Sequence, residues 1–295
     1  MAETGNAIKG VALIVMATLL FAAADVLGKV LYATYSVALV MGMRYLVNVV
    51  LLGAVLGPSQ GAALWRTHRT FWVVARGLCL AAASLTMGLA LRVMPVGETV
   101  AIIYLAPILV MLLAGLVLGE TVPLAGWMGA AMGFAGVLVI VRPGTGLDPW
   151  GVVLCLINAG LGTGYHLLTK VLGRTETMTA MLFHTALAGA VVFWGLVMAG
   201  GVQVWPGWLD LALMVVLGVL ATVGHFLFTA AYREAAASLL APVNYLHLVW
   251  AAALGAAVFG HVPDAITLVG MAMVAGAGAA VALRAQFGAK VAEAP

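Results

Sequence analysis

Apolar runs of about 20 residues, each long enough to cross a lipid bilayer, recur along the whole of this 295-residue sequence. Hydrophobic residues make up 65% of the chain and charged residues only 8%. Soluble domains average about 45–50% apolar and about 25% charged residues, so this chain has too few charges to cover a surface that faces water. The sequence therefore predicts a polytopic membrane protein that is surrounded by the lipid bilayer.

The apolar runs predict an all-α membrane protein with ten transmembrane helices joined by short loops. A transmembrane barrel is not expected, because its strands would appear as alternating segments of about 10 residues. The runs leave no stretch for a soluble domain. The predicted spans are 8–32, 36–57, 71–91, 96–118, 122–141, 150–172, 178–199, 207–231, 236–259 and 264–283.

Lysine and arginine residues, which favour the cytoplasmic side of a membrane, indicate the orientation of the chain. With the N-terminus inside, most of the 13 basic residues fall at cytoplasmic ends, and both termini are expected to be cytoplasmic. The net charge of +3 reflects this bias and is no sign of a nucleic-acid partner. The residues at cytoplasmic ends are Lys9, Arg66, Arg69, Arg76, Lys170, Arg174, Arg233, Arg284 and Lys290.

A weak internal repeat is visible when the chain is compared with itself at an offset of 141 residues. Residues 10–31 then lie over 151–172, with eight of 22 positions identical. Each copy, 1–145 and 146–295, holds five spans, and because five is odd the second copy must enter the membrane from the opposite side. Two inverted five-helix repeats within one transmembrane domain are typical of secondary transporters. The repeat also disfavours the alternative that residues up to Ala24 are a cleaved signal peptide.

One stretch carries a family resemblance. The run 100–141 has Pro107 inside the fourth span, Gly119-Glu120 at the end of that span, and a glycine-rich fifth span. These features resemble the end of an EamA repeat in the drug/metabolite transporter superfamily. The second half departs from that pattern, since His261 stands where the glutamate is expected and Leu248 where Pro107 would repeat.

The resemblance implies a secondary transporter that works by alternating access between two repeats, with helices 1, 3, 4, 6, 8 and 9 around its cavity. The chain is similar to bacterial amino-acid exporters, among them the aromatic amino-acid exporters, which implies an inner-membrane protein with a small-molecule substrate. The alternatives are a passive metabolite channel and an intramembrane enzyme that uses the membrane histidines. No cofactor is expected, and no GxxxxGK[ST] loop for ATP occurs. The oligomeric state is left open.

Asp25 and Lys29 lie one helical turn apart inside the first span, where an ionised residue costs about 2.5–3.5 kcal/mol. They share one helix face, either as a structural ion pair or as cavity-facing groups that bind substrate charges or a proton. Lys170 repeats Lys29, which would give each mouth of the carrier one base. His166 lies over Asp25 in the repeat. Because histidine titrates near neutral pH, Asp25 and His166 are the candidates for proton coupling.

Aromatic and polar residues deep inside the spans are the expected substrate-binding residues, although packing or an interfacial aromatic belt is the alternative role for such side chains. Tyr104 and Tyr245 are equivalent in the repeat, and their hydroxyls need partners. Arg44 is either a bidentate ligand for a carboxylate or a buried structural cation. The candidates are Tyr104, Tyr245, His166, His225, Asn244, Trp250, Tyr165, Arg44, Lys29 and Lys170.

Two prolines and the remaining histidines complete the expectations. Pro107 and Pro242 lie inside the fourth and ninth spans, where proline permits a bend, and they are expected to be hinges or static kinks. Five of the six histidines fall in the second half without a close pair on one helix, so no metal site is expected. Among them, His261 is expected to be solvated at a helix end.

Overall fold

The computed structural model describes residues 2–118, 124–142, 146–200, 202, 204–235, 240 and 243–292. Helices dominate these ranges, and no strand occurs in them. A short 3₁₀ helix at Gly61–Leu64 follows the second helix. The α-helices are α1 (Ala2–Tyr32), α2 (Val37–Gln60), α3 (Thr70–Val93), α4 (Val96–Ile103), α5 (Ala106–Leu118), α6 (Leu124–Val141), α7 (Pro149–Leu172), α8 (Met178–Gly200), α9 (Trp208–Glu234), α10 (Leu246–Phe259) and α11 (Ala265–Ala292).

The helices confirm the prediction of an all-α membrane protein. Six of the described helices, α1, α2, α3, α7, α8 and α9, are long and apolar enough to cross a membrane. The other predicted spans correspond to shorter apolar helices. Many large apolar side chains are exposed on the outside of the bundle, Phe71, Leu124 and Met198 among them, as a surface that faces lipid requires.

The fourth predicted span is interrupted, which the sequence analysis did not anticipate. Tyr104 and Leu105 form a turn between α4 and α5. The sequence analysis expected Pro107 to bend a continuous helix. Pro107 is instead the second residue of α5. A proline fits there, because the first N–H groups of a helix have no intrahelical partner. The other proposed hinge, Pro242, lies outside the described residues, as does Gly119-Glu120.

The ninth predicted span is interrupted at the equivalent position. Residues 243–244 are helical, Tyr245 forms a turn, and α10 begins at Leu246. Tyr245 is the position that the offset of 141 residues assigns to Tyr104. Each half of the chain therefore has a break in its fourth helix, and the two breaks lie at equivalent tyrosines.

Helix packing follows the internal repeat. In the repeat α1 corresponds to α7, α2 to α8, α3 to α9 and α6 to α11. The longest packing contact of α1 is with α9, and its counterpart α7 packs along α3. The other two extensive contacts, α2 with α8 and α6 with α11, each join a helix to its own counterpart. The halves thus interlock by exchanging equivalent contacts.

Two contacts between loops are likewise equivalent to each other in the repeat. The Tyr35 hydroxyl donates to Oδ2 of Asp210 at 2.6 Å, and the Glu176 carboxylate accepts from the backbone N–H of Arg69 at 2.7 Å. Residues 35 and 176 are equivalent in the repeat, and so are residues 69 and 210. The bond to the Asp210 carboxylate raises the pKa of Tyr35, because deprotonation would lose the donated hydrogen and place two negative charges together.

The crossing of α6 and α11 depends on the absence of two side chains. A Cβ atom added at Gly136 would lie 2.8 Å from the carbonyl oxygen of Gly270, and one added at Gly270 would lie 2.8 Å from that of Gly136. Both approaches are shorter than van der Waals contact and involve backbone atoms, which cannot rotate away. Such small-residue crossings drive helix association in membranes.

We expect Gly136→Ala to lower the free energy of unfolding by about 1–3 kcal/mol, the range for overpacking a tight contact. The matched control is Gly53→Ala in α2, where an added Cβ would meet no atom within 4 Å. Both changes exchange the same residue types within a helix, so their difference isolates the crossing. Reversible unfolding in mixed detergent micelles measures it, and equal stabilities would contradict the prediction.

Candidate functional site

The two helix breaks bring Tyr104 and Tyr245 together at the centre of the bundle. Their ring centroids lie 5.1 Å apart. The Tyr104 hydroxyl donates to the backbone oxygen of Asn244 at 3.1 Å, so Asn244 contributes its carbonyl here. A broken helix leaves carbonyl groups without an intrahelical partner, and this bond satisfies one of them with a side chain from the other half.

Asp25 joins this centre through a histidine. Oδ2 of Asp25 lies 2.9 Å from Nε2 of His247, and Nδ1 of the same ring lies 3.2 Å from the Tyr104 hydroxyl. His247 was not among the expected site residues, although its position two residues after Tyr245 is a signal for it. The structure thus forms a chain from Asp25 through His247 to Tyr104.

The hydrogen bonds of this chain depend on which nitrogen of His247 carries the proton. When the Tyr104 hydroxyl donates to Nδ1, Nε2–H donates to Asp25 and the chain needs no further proton. When the single hydroxyl hydrogen of Tyr104 goes to Asn244, the phenolic oxygen accepts from Nδ1–H of His247. Nε2 of that neutral ring is then an acceptor that faces Asp25, which is also an acceptor. Their 2.9 Å contact needs a second proton, carried by the imidazole or by the carboxyl group. The two arrangements of this chain thus differ by one proton on the pair of Asp25 and His247.

Asp25 and Lys29 do not form the ion pair that was one of the two roles open to them, and each contacts a distant partner instead. The Lys29 ammonium donates to the backbone oxygens of Leu91 at 2.5 Å and Met94 at 2.7 Å. It also lies 5.5 Å from the centroid of the Phe259 ring. A shared helix face allowed the pair, but the unsatisfied carbonyls at the end of α3 compete for the ammonium.

A cavity of about 170 Å³ lies next to this chain, between α2, α8 and α9 with contributions from α3 and α7. Phe21 lies between the cavity and the hydrogen-bonded chain. Its ring centroid is 4.9 Å from that of His225, which lines the cavity, and 6.1 Å from that of His247, which belongs to the chain. Apolar side chains such as Leu52 and Phe226 line much of the wall. The polar lining is formed by Arg44, Tyr45, Asn48, Gln60, Tyr165, Thr179, Thr185, Thr222, His225 and Thr229.

Arg44 is the charged group of this cavity, and it has no carboxylate partner in the described part of the chain. Its Nη1 lies 3.4 Å from the sulfur of Met41, and its guanidinium lies 5.3 Å from the centroid of the Tyr45 ring. Its buried Nε has no hydrogen-bond partner among the described residues. A cation without a counterion is costly within a membrane, which indicates a site for a negatively charged group.

Arg76 also lies in the bundle, but its donors are satisfied. It was expected at a cytoplasmic helix end, yet its side chain is buried, with 1% of the residue surface exposed. It donates to the hydroxyls of Tyr165 at 2.6 Å, Thr169 at 2.6 Å and Thr185 at 2.7 Å, and to the Met181 carbonyl at 3.1 Å. This network fixes Tyr165 in the cavity wall.

The structure separates the expected site residues into two groups. Tyr104, Tyr245, Asn244 and Asp25 meet at the helix breaks, while Arg44, Tyr165 and His225 line the adjacent cavity. His166 and Lys170 are exposed on α7 and line neither place, and Lys29 lies toward the end of α1. Trp250 packs against the main apolar core. The described residues contain no group of three His, Cys, Asp or Glu side chains arranged to hold a metal ion.

We expect Arg76→Lys to lower the free energy of unfolding by about 2–4 kcal/mol, because an ammonium cannot reproduce the planar fork of donors and hydrogen bonds to charged groups contribute about 1.5–3 kcal/mol each. The matched control is Arg66→Lys, an exposed arginine near the start of the same helix. Unfolding in mixed micelles compares the two variants. A loss for Arg76→Lys no larger than that for Arg66→Lys would contradict the role of the network.

Comparison with known proteins agrees with this architecture. The model of the EamA-like transporter family matches residues 8–142 and again 149–283. The two matches begin 141 residues apart, the offset of the internal repeat. The match to one solved structure covers 99% of this chain and 99% of the solved chain, with a TM-score of 0.66 and 20% sequence identity. The two chains have the same fold.

Three characterised relatives are transporters. The chain is 32% identical over 220 residues to a riboflavin transporter of Rhizobium johnstonii, covering 72% of this chain and 70% of that one. It is 29% identical over 230 residues to an S-adenosylmethionine uptake transporter of Rickettsia prowazekii, covering 77% and 76%. It is 26% identical over 268 residues to the pseudopaline exporter CntI of Pseudomonas aeruginosa, covering 88% and 91%.

Proposed function

The chain belongs to the EamA-like transporter family, and from that premise we propose that it is a secondary carrier that exports small metabolites of the amino-acid class across a bacterial inner membrane. It is a multi-pass membrane transporter and not an enzyme. Two observations carry the proposal. Arg44, whose buried Nε has no hydrogen-bond partner among the described residues, lines a cavity, and the ring of Phe21 lies between His225 of that cavity and His247 of the chain with Asp25 and Tyr104.

The charges of this site complement a free amino acid. Arg44 is suited to bind the carboxylate, since a guanidinium binds carboxylates bidentately. Asp25 is suited to bind the ammonium group, and the rings of Phe21, His225 and Tyr165 offer apolar faces for a side chain. Metabolites that carry an amino-acid group, S-adenosylmethionine among them, present the same two charges. The substrate class is therefore defined by a carboxylate and an ammonium group on one carbon.

Alternating access between two inverted repeats, 1–145 and 146–295, is the proposed mechanism. The exchange of equivalent contacts supports it, because α1 packs on α9 as α7 packs on α3, and the loop contacts of Tyr35 and Glu176 are likewise equivalent. A pair of structural repeats that interlock in this way has two arrangements of similar energy, one open to each side. The breaks at Tyr104 and Tyr245 provide the discontinuous helices that such carriers use at the substrate site.

Proton coupling is proposed to occur at Asp25 through competition. The pair of Asp25 and His247 holds a proton when the site is empty of substrate, and an ammonium group that binds Asp25 takes the place of that proton. A carrier in which proton and substrate exclude each other exchanges one for the other. A proton gradient directed inward would then drive export. His166, the other candidate, lies outside the cluster.

The extent of the cavity supports loading from the cytoplasm. Its lining follows α2 from Arg44 to Gln60 and includes Met178 at the start of α8. The adjoining loops carry Arg66, Arg69 and Arg174, and basic loops favour the cytoplasmic side. Uptake of an amino-acid-bearing metabolite is the second candidate, favoured by the resemblance to S-adenosylmethionine uptake transporters over about three quarters of the chain.

We expect the protein, reconstituted in liposomes, to show saturable counterflow of a labelled amino acid. The panel comprises neutral and aromatic amino acids, S-adenosylmethionine and riboflavin. Arg44→Gln should raise the half-saturation concentration about 10- to 100-fold, since hydrogen bonds to a charged group contribute about 1.5–3 kcal/mol and each 1.4 kcal/mol is a factor of ten.

The matched control for that experiment is Arg66→Gln, which removes an exposed arginine outside the cavity and should leave the half-saturation concentration unchanged. Uptake without saturation or counterflow would indicate a channel. A folded protein with no counterflow across the panel would contradict the proposed cargo.

Competition at Asp25 predicts a pH dependence with a definite sign. The half-saturation concentration for substrate should rise as the pH falls, because protons occupy the site, and Asp25→Asn should bind substrate weakly and without this dependence. Glu234→Gln is the control, since that carboxylate forms an exposed ion pair with Lys9. Counterflow measured with equal pH on both sides, over a series of pH values, tests it. A dependence that persists in Asp25→Asn would assign the coupling to another group.

A further inference from the structure

A second cavity lies toward the other end of the bundle, where the basic-residue pattern predicts the outer face. Its volume is about 320 Å³, and its lining comes from α1, α3, α4 and α10 and the loops that follow α6 and α10. Its wall includes two cations, a carboxyl group and an imidazole: Lys29, Arg92, Glu98 and His261. Glu98 did not emerge from the sequence as a site residue.

Glu98 is a buried carboxyl group with one oxygen unused. It lies in the first turn of α4, with 3% of the residue surface exposed. Its Oε1 lies 2.7 Å from Nε2 of His261, whereas its buried Oε2 has no hydrogen-bond partner in the described part of the chain. A charged carboxylate in that position leaves half of its charge without a donor, which is costly. A proton on the carboxyl group removes the charge, although Oε2 still has no partner among the described residues.

His261 connects this buried group to the outside. It was expected to be solvated at a helix end, and 46% of its side chain is indeed exposed, but Nε2 contacts Glu98. An imidazole takes a proton at one nitrogen and releases one from the other. His261 can accept a proton from outer water at Nδ1 and donate the one on Nε2 to Glu98, after which it is neutral again.

Of the other charged groups at this end, Lys29 interacts electrostatically with Glu98. Asp148 accepts from the Gly151 N–H at the start of α7, and Asp264, before α11, forms a bidentate ion pair with Arg142 at the end of α6. The backbone N–H of Thr267 and the Arg142 guanidinium lower the pKa of Asp264 to about 2. Of the two cations in the cavity wall, Lys29 on α1 donates to backbone carbonyls, and Arg92 on α3 is exposed.

The cavity leads from this pair toward Asp25. Its wall follows α10 from His261 back through Phe259 and Gly255 to Ala252, about two helical turns. On α1 it reaches Lys29, which lies one turn, about 6 Å, from Asp25. Its volume exceeds that of several water molecules, each of which takes about 30 Å³.

We propose that Glu98 and His261 form a second proton-binding site, the outer station of a pathway that passes protons through this cavity to the pair of Asp25 and His247. Only the destination of the pathway rests on the proposed function; proton binding at Glu98 does not. A proton from outer water binds Nδ1 of His261, the proton on Nε2 moves to Glu98, and Glu98 releases it into the cavity. Glu98 is then a carboxylate again, and His261, left protonated at Nδ1, returns to its starting tautomer by a turn of its ring or by proton exchange with water.

Infrared difference spectra of the purified protein in lipid, recorded at a series of values between about pH 5 and pH 8, test proton binding directly. The carbonyl stretching band of a protonated carboxyl group should be lost in Glu98→Gln and retained in Asp264→Asn, the neighbouring exposed carboxylate. Asp25→Asn should remove a different band. A spectrum unchanged by Glu98→Gln would overturn the site.

Transport measurements test the proton pathway separately from proton binding at Glu98. In proteoliposomes that exchange labelled L-phenylalanine, the ratio of proton-driven accumulation to counterflow at equal pH should fall about tenfold in both Glu98→Gln and His261→Gln, but not in Asp264→Asn. A wild-type ratio in either of the first two variants would overturn the relay. If the wild-type protein exchanges no amino acid of the panel, the proposed cargo is wrong, and the infrared bands alone decide whether Glu98 binds a proton.

Discussion

The hydrogen bond from the Tyr104 hydroxyl to the Asn244 carbonyl is the interaction on which the centre of this protein depends. A membrane offers no water to a broken helix, so the freed backbone groups must find partners within the protein. Both halves break their fourth helix at the same tyrosine, and each break lies against the other. The breaks therefore stabilise one another, and they create the only kind of position where irregular backbone is tolerated at membrane depth, one that borders a polar interior.

The buried charges of the bundle differ in how they are satisfied, and this difference separates structure from function. Arg76 has hydrogen-bond partners for its guanidinium on two neighbouring helices, so its cost in a membrane, about 2.5–3.5 kcal/mol for an unsupported ion, is offset locally. Arg44 and Glu98 each keep a buried polar atom without a partner among the described residues. Each of the two residues lines a different cavity, and the proposals assign a substrate to one and a proton to the other.

Long apolar runs predicted the helices, and the offset of 141 residues predicted which positions are equivalent, including Tyr104 and Tyr245. What failed were statements about partners. Asp25 and Lys29 share a helix face, but their contacts are with His247 and with the end of α3. Such partners lie far apart in the chain, and periodicity within one helix contains no information about them. Glu98 was overlooked because it stands near the beginning of a span, where a solvated carboxylate looks the same.

The two halves of this chain match the same family model and make equivalent helix contacts, but their chemistry is asymmetric. The repeat pairs Asp25 with His166, Glu98 with Leu239, His247 with Ala106 and His261 with Glu120. Each carboxylate–imidazole pair takes its acid from the first half and its base from the second, so neither pair has an equivalent on the other side of the scaffold. Under the proposed mechanism, a symmetric carrier would offer protons equal routes to both faces. The proposed outer station would speed proton exchange with one face only, while the gradients of proton and substrate set the direction of transport.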